Sequence, residues 1–153
     1  QDRVHEYFQM RECEPSPYML LVAPVSDQRR VEPDSTSETL EGLDKRNVCR
    51  SEVPAVTHVD YSARVQTVDR DRNPIYHELL KAFERKTGCP VIINTSFNIR
   101  GEPIVRSPAE AYRCFLATNM DALAIGRQLI LKSDQPNAPQ HETAAYLASF
   151  NLD

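Results

Sequence analysis

A predicted helix, a short apolar segment and a polar loop follow one another between Asn73 and Pro103, and this succession constrains the fold more than any other part of the sequence. Asn73 is a favourable N-cap, a proline occupies the first helical position, and Gly88 is a favourable residue at the helix end. The apolar residues between them are spaced to fall on one helical face, and they are Ile75, Leu79, Leu80 and Phe83. The helix leads directly into a predicted strand at residues 90–94.

The polar loop that follows this strand is a candidate ligand site. An ordinary connecting loop needs few polar side chains, whereas hydroxyl, amide and guanidinium groups together bind phosphate and carbonyl oxygens. Gly101 within the loop favours a turn. We therefore predict a small-ligand site built from the side chains of Asn94, Thr95, Ser96, Asn98 and Arg100.

These polar side chains also have a purely structural interpretation. Ser96 and Asn98 are two positions apart, so both can hold one ligand oxygen if the backbone stays extended. Alternatively, both cap backbone groups in a turn. Arg100 either closes over a bound anion or is a solvated cation. The loop sequence leaves these alternatives open.

The N-terminal half of the chain predicts further strands and one long polar stretch. Residues 18–25 are apolar and bounded by prolines, which favours a buried strand. Residues 55–60 and 63–68 alternate apolar with polar side chains and predict two strands or one bent strand. Residues 26–51 are mainly polar and predict a surface loop or a partly mobile insertion.

The C-terminal part of the chain predicts a second helix and a final strand. Residues 107–110 form a capping box that starts the helix, and residues 122–132 predict a strand bent at its central glycine. The side chains predicted for the buried face of this helix are Ala111, Cys114 and Phe115. Residues 133–153 form a polar tail, in which residues 143–152 could form a short helix. Interleaved strands and helices predict an α/β fold of mixed α+β type.

Composition and charge argue against several classes of protein. With 22 acidic and 18 basic residues the net charge is -4, which argues against nucleic acid as a partner. The four cysteines have no zinc-type spacing, so we expect reduced thiols and no metal site. No apolar stretch approaches the roughly 20 residues that span a bilayer, and the first residues lack a signal-peptide pattern. We expect a cytoplasmic protein of one domain, without a membrane partner.

Arg64 and His58 are candidate site residues outside the loop. Arg64 interrupts a predicted strand, and its guanidinium suits phosphate, with charge-assisted hydrogen bonds of about 1.5 to 3 kcal/mol. The alternative for Arg64 is a salt bridge to Asp60 or Asp69. His58 and Asp60 share a strand face, which suits an acid–base pair, a magnesium contact or a structural hydrogen bond. The chain has no Walker loop, Gly-x-Ser-x-Gly elbow or His-Glu-x-x-His motif.

Three blocks of the sequence together are typical of one enzyme family. The first block is Thr-His-Val-Asp and Ser-Ala-Arg-Val-Gln-Thr-Val within residues 57–68, and the second is Thr-Gly-Cys-Pro-Val at residues 87–91. The third, at residues 94–105, contains Asn-Thr-Ser-Phe-Asn followed by Gly-Glu-Pro. They resemble the C-terminal domain of the O-carbamoyltransferases, which include nodulation-factor and antibiotic-tailoring enzymes. The resemblance implies a fold similar to threonylcarbamoyl-adenylate synthase, a twisted mixed sheet with helices packed on it.

The resemblance also implies a function. In this family the C-terminal domain forms carbamoyl-adenylate from carbamoyl phosphate and ATP, and magnesium accompanies the ATP. A sugar-kinase-like N-terminal domain with a bound transition metal then transfers the carbamoyl group to an acceptor hydroxyl. The family pairs a Lys-x-Arg motif with a Ser-x-Asn motif. Ser96 and Asn98 match the second motif, and Arg64 fits the arginine that contacts the adenylate phosphate, so the resemblance implies catalytic roles for these three.

The chain departs from the family pattern at its start. The Lys-x-Arg motif lies upstream of the segment that resembles Gln1 onward, and the chain does not begin with methionine. We therefore expect residues 1–132 to be an N-terminally truncated piece of the domain, with weak ligand binding and little or no complete transfer by itself. Two alternatives stay open, a non-catalytic interaction domain and an RNA-binding module of the same fold. A homodimer is a further open alternative, because truncation can expose an apolar face.

Overall fold

The computed structural model describes residues 1–32, 40–135, 145–146 and 148–150. The chain forms two compact units, one from Gln1 to Ile93 and the other from Asn94 to Asp153. Both contain helices and small antiparallel sheets, which confirms the α+β class. Within the described residues the sheets have two strands each, so the more specific prediction of a twisted mixed sheet of the synthase type stays a prediction. The domain boundary predicted at residue 132 also stays a prediction.

The first unit is built around a two-stranded antiparallel sheet. Strand β1 (Leu21–Pro24) pairs with β2 (Ser62–Val65), with Leu21 opposite Val65. Helix α1 (Val4–Tyr7) precedes the sheet and α2 (Pro74–Thr87) follows it. The core of this unit is a cluster of buried apolar side chains, and they are Val4, Tyr7, Phe8, Ala23, Val25, Val53, Ala63 and Val65.

The strand predictions for this unit were partly wrong. Of residues 18–25, only Leu21–Pro24 form a strand, and Val22 is 61% exposed because one face of the small sheet is open. Residues 55–68 were predicted as two strands or one bent strand, and they contain one short strand, Ser62–Val65. Pro54–Val56 instead form a 3-10 turn, and Tyr61 adopts a left-handed φ of 63°. Residues 90–94, predicted as a strand, pair with no strand within the described residues.

The long polar stretch of this unit is only partly loop. Short 3-10 helices occur at Asp27–Arg29 and Gly42–Asn47. Arg30 forms an isolated bridge with Ser51, which is 1% exposed. The ends of the stretch are therefore tied to the unit, and its central part, residues 33–39, lies outside the described residues.

Helix α2 has the predicted ends. The Asn73 side chain accepts a hydrogen bond from the amide of Tyr76, and Gly88 closes the helix with a φ of 77°. The predicted apolar face is nevertheless largely open, since Ile75 is 85% exposed. The buried side chain of the helix is His77.

The second unit packs one helix against a hairpin. Helix α3 (Pro108–Ala117) begins with the predicted capping box. Strands β3 (Ala122–Ile125) and β4 (Gln128–Leu131) pair antiparallel, so the predicted bent strand is a hairpin. Its turn contains Gly126, whose φ of 57° allows the chain to reverse. The core residues are Ala111, Phe115 and Leu123.

Two sequence expectations concern the tail and the membrane. Within residues 143–152, the described residues 145, 146 and 148 are helical, and the remainder of this prediction lies partly outside the described residues. Among the described helices, none is long and apolar enough to cross a membrane.

Candidate functional site

The polar loop forms a tight turn in the second unit. The amide of Glu102 donates to the carbonyl of Ile99 at 3.1 Å, and the amide of Val105 donates to the carbonyl of Phe97 at 3.0 Å. Gly101 has a φ of 86°, which a glycine adopts without strain. Asn94, Thr95, Ser96 and Arg100 are exposed on this turn. Their side chains are thus accessible to a ligand.

Asn98 caps the turn from within. Its side-chain nitrogen donates to the carbonyls of Ile99 and Glu102 at 3.0 and 2.9 Å. An amide nitrogen has two hydrogens, and both are used here. The capping interpretation therefore applies to the nitrogen of the Asn98 side chain. Ser96, in contrast, is exposed at the surface. If Asn98 contacts a ligand as well, its acceptor oxygen is the group that does so.

Glu102 is the residue of this loop that sequence inspection missed. One carboxylate oxygen accepts the amide of Ile99 at 3.0 Å, and the other accepts the hydroxyl of Tyr146. Burial and the hydrogen bond to Glu102 raise the pKa of Tyr146 well above its ordinary value. Burial, followed by the charge of Glu102, also raises the pKa of Cys114. No sequence signal indicates the Tyr146 contact, because the two residues are 44 positions apart.

Arg64 lies in the first unit on the exposed face of β2. Its guanidinium donates to the carbonyl of Met19 at 2.8 Å. The predicted salt-bridge partners are engaged elsewhere, since Asp60 accepts hydrogen bonds from Ser62 and Asp69 accepts them from backbone amides. The Arg64 side chain is therefore held by a neutral carbonyl group, and neither of the predicted carboxylates forms a salt bridge with it.

The surroundings of Arg64 are apolar and open. Val22 lies directly opposite Arg64 in the strand register and is 61% exposed. Leu20, two residues before Val22, is 79% exposed. A guanidinium beside an open apolar surface suits a ligand with both an anionic and an apolar part. Sequence inspection missed this surface because it placed these residues in a buried strand.

His58 and Asp60 are linked through a serine. The Ser62 hydroxyl donates to the Asp60 carboxylate at 2.7 Å and lies 2.9 Å from Nδ1 of His58. Since the serine hydrogen is given to Asp60, the contact requires Nδ1 of His58 to donate to the Ser62 oxygen. The hydrogen bonds from Ser62 lower the pKa of Asp60. The geometry favours the structural interpretation of this pair, and the His58 side chain is exposed.

The predicted site residues fall into two groups. His58 and Arg64 lie in the first unit, and the five loop residues lie in the second. Within the loop, the structure brings Ser96, Asn98 and Arg100 onto one turn. The joining of the two groups into one site stays a prediction.

Metal ligands and apolar cavities are two further features that could form a binding site. The described residues include no group of three or more histidine, cysteine, aspartate or glutamate side chains that could hold a metal ion. An open cavity of about 400 Å³ lies in the first unit between residues 52–56, Phe83, Cys89 and residues 91–93. Its lining is mainly apolar, which does not suit a phosphate.

Comparison with known proteins gives a consistent result. The family model described as carbamoyltransferase C-terminus matches residues 1–132. An uncharacterized protein of Synechocystis sp. is 46% identical over 152 residues, which are 99% of this chain and 24% of that protein. Nodulation protein NolNO of Sinorhizobium fredii is 38% identical over 133 residues, which are 86% of this chain and 17% of that protein.

A named carbamoyltransferase is also similar over a shorter stretch. The 3'-hydroxymethylcephem-O-carbamoyltransferase of Amycolatopsis lactamdurans is 55% identical over 51 residues, which are 33% of this chain and 10% of that enzyme. The chain spans about a quarter or less of the length of these relatives. Since the family model covers most of the sequence, this chain belongs to the carbamoyltransferase C-terminus family.

Proposed function

We propose that this chain is the C-terminal domain of an ATP-dependent O-carbamoyltransferase. In this proposal it forms carbamoyl-adenylate from carbamoyl phosphate and ATP, for transfer to a hydroxyl of a small-molecule or sugar acceptor. The observation that carries the proposal is the family match over residues 1–132. The similarity to a cephem O-carbamoyltransferase supports a hydroxyl as the acceptor group.

The stoichiometry of this reaction follows from its atoms. Carbamoyl-adenylate retains one phosphate of ATP, so the other two leave as pyrophosphate when the bond from the α-phosphorus to the bridging oxygen breaks. Carbamoyl phosphate loses its own phosphate as inorganic phosphate, and one water balances the equation. The proposed reaction therefore releases one pyrophosphate and one phosphate for each carbamoyl-adenylate.

The ligands demand cations and donors rather than a protein nucleophile. ATP and carbamoyl phosphate are both anionic, so their approach requires positive charge and preorganised hydrogen bonds. We assign Arg64 to the adenylate phosphate and Ser96 to a ligand oxygen. Asn98, whose two amide hydrogens cap the loop, would accept a hydrogen bond from the carbamoyl amine through its oxygen. The other residues assigned to ligand binding are Asn94, Thr95, Arg100 and His58.

Magnesium is part of the proposal as a companion of ATP. The part of the chain that the structure describes includes no group of three or more histidine, cysteine, aspartate or glutamate side chains that could hold a metal ion. The triphosphate oxygens would be its ligands. We assign no step of the reaction to it. A transition metal is expected only in the N-terminal domain of the family.

The test is calorimetric titration of the chain with ATP, magnesium and carbamoyl phosphate at low salt. We expect Arg64→Ala to weaken binding about 10- to 100-fold, because a charge-assisted hydrogen bond contributes about 1.5 to 3 kcal/mol. Arg70→Ala is the matched control, since Arg70 is an exposed arginine of the same unit. Unchanged thermal unfolding of both variants would show that folding is intact.

The titration also has a contradicting outcome. If the parent chain binds neither ligand, the same titration on a longer protein of the family that contains this domain decides. Equal binding by that protein with and without the substitution at the position of Arg64 would overturn the assignment. Release of pyrophosphate that depends on carbamoyl phosphate would support the proposed formation of carbamoyl-adenylate.

A non-catalytic interaction domain is the second candidate. It is favoured by the open apolar face of α2, where Ile75 and Leu79 are 85% and 55% exposed. Apolar surface of this kind is typical of a contact with another protein surface. In that case Arg64→Ala would change no ligand binding, whereas substitutions on α2 would weaken association.

A further inference from the structure

We propose that Tyr146, acting through Glu102, is a positioning residue for the polar loop of residues 94–103, called the ligand loop below. In this proposal the C-terminal segment, residues 145–146 and 148–150, fastens the loop in the conformation that binds the ligand. The inference rests on the proposed function for the nature of the ligand, ATP with carbamoyl phosphate. The fastening itself is a property of the protein without ligand.

Glu102 connects the turn to the segment. Its backbone carbonyl accepts a hydrogen bond from Asn98 at 2.9 Å, and its carboxylate accepts the amide of Ile99 at 3.0 Å. The same carboxylate accepts the hydroxyl of Tyr146 through its second oxygen. A change in the position of the Glu102 side chain would therefore alter the turn on which Ser96, Asn98 and Arg100 lie.

The backbone of the segment also lies against the loop. A Cβ atom added at Gly101 would collide with the backbone carbonyl of Phe150, so the two backbones are in close contact. The rings of Tyr146 and Phe150 pack edge to face at 5.1 Å between centroids. The amide of Ser149 donates to the carbonyl of Ala145 at 3.1 Å. These contacts hold the tyrosine hydroxyl in place beside Glu102.

The charges at this contact suit a donor and an acceptor. Burial and Glu102 raise the pKa of Tyr146, so the phenol keeps its hydrogen near neutral pH. Arg113 acts in the opposite direction on Tyr146, and the buried Cys114 thiol also faces the cluster. A neutral hydroxyl that donates to a carboxylate makes a stronger hydrogen bond than two neutral groups do.

The segment lies outside residues 1–132, which the family model matches, whereas the similarity to the Synechocystis protein extends over 152 residues.

The first test measures the loop without ligand. Hydrogen exchange of the Ile99 amide would be compared between the parent chain and Tyr146→Phe, which removes only the hydroxyl. We expect exchange to become about three- to tenfold faster, since one hydrogen bond is lost. Tyr112→Phe is the matched control, because its hydroxyl donates to Gln135 at 2.8 Å in the same unit. Glu102→Gln, which removes the charge, should also speed the exchange.

The second test measures the ligand. Titration with ATP, magnesium and carbamoyl phosphate should show weaker binding by Tyr146→Phe, by about three- to tenfold, and unchanged binding by Tyr112→Phe. Unchanged exchange of Ile99 in Tyr146→Phe would overturn the fastening, whatever the titration shows. Faster exchange with unchanged affinity would overturn the positioning role. If the parent chain binds no ligand, the same titration on a longer family protein that contains this domain, with and without the substitution at the position of Tyr146, decides the positioning role. The exchange result stands whichever way that titration falls.

Discussion

Helices α2 and α3 begin alike and end in different surroundings. Each has a polar N-cap, a proline at the start and an apolar face. Helix α3 buries that face, with Phe115 and Cys114 at 0% exposure, whereas Ile75 and Leu79 of α2 are 85% and 55% exposed. A helix can therefore be specified by local sequence without the burial of its apolar side.

The contacts of the two helices explain this difference. The hairpin of β3 and β4 covers the face of α3, and the Lys132 amine lies 4.3 Å from the Phe115 ring centroid. The same amine donates to the carbonyls of Leu116 and Thr118, which satisfies the end of the helix. The end of helix α2 is instead capped locally by Gly88, whose amide donates to the backbone carbonyl of Glu84 at 2.7 Å.

The largest difference should appear in a matched pair of phenylalanine substitutions. Phe115→Ala should lower the free energy of unfolding by about 3 to 5 kcal/mol, because it leaves a cavity in a closed core. Phe83→Ala should cost about 1 to 2 kcal/mol, since Phe83 is 37% exposed and loses less burial. Urea denaturation followed by circular dichroism measures both. Equal losses would show that the two faces are packed to the same degree.

A smaller effect is expected at the helix starts, where the two helices should behave alike. Ser107→Ala removes the acceptor of the Glu110 amide, and Asn73→Ala removes that of the Tyr76 amide. Each should cost about 1 kcal/mol, because each leaves one amide of the first turn without its cap. The same denaturation experiment tests them. A cost at one cap and none at the other would contradict the view that the helix starts are local.

The smallest effect is expected on the open face of α2. Leu79→Ser should change the free energy of unfolding by less than about 0.5 kcal/mol, since Leu79 is largely exposed. Thermal unfolding of this chain provides the measurement. The same substitution at Leu123, which is buried, is the contrast and should lower the free energy of unfolding more. A loss above about 1 kcal/mol would mean that the face is covered, by a second copy or by another surface.

Helices α2 and α3 and the polar loop could be predicted from sequence more reliably than the strands. The capping box at residues 107–110 and the ends of α2 depend on neighbours within one turn, and both predictions were confirmed. A strand requires a partner, which local sequence does not reveal. For this reason residues 55–60 were wrongly predicted as a strand, and residues 122–132 form a hairpin rather than one bent strand.

The candidate site was located by sequence, but its internal bonding was not. The position of the polar loop follows from residue types and spacing, whereas the exposure of Ser96 is a finding of the structure. The capping role of Asn98, in contrast, depends on which carbonyls the turn brings within reach. The chain from Asp60 through Ser62 to His58 likewise depends on the left-handed turn at Tyr61.

The sequence by itself determined where α2 begins and ends, where α3 begins, where the polar loop lies and to which family the chain belongs. These features depend on short-range spacing and on residue identity, which are written in the order of the chain. Only the tertiary structure decided that α3 buries its apolar face while α2 does not, and that Tyr146 donates to Glu102. Burial and hydrogen bonds between distant residues depend on which surfaces meet in space, and a residue's near neighbours in sequence do not specify that.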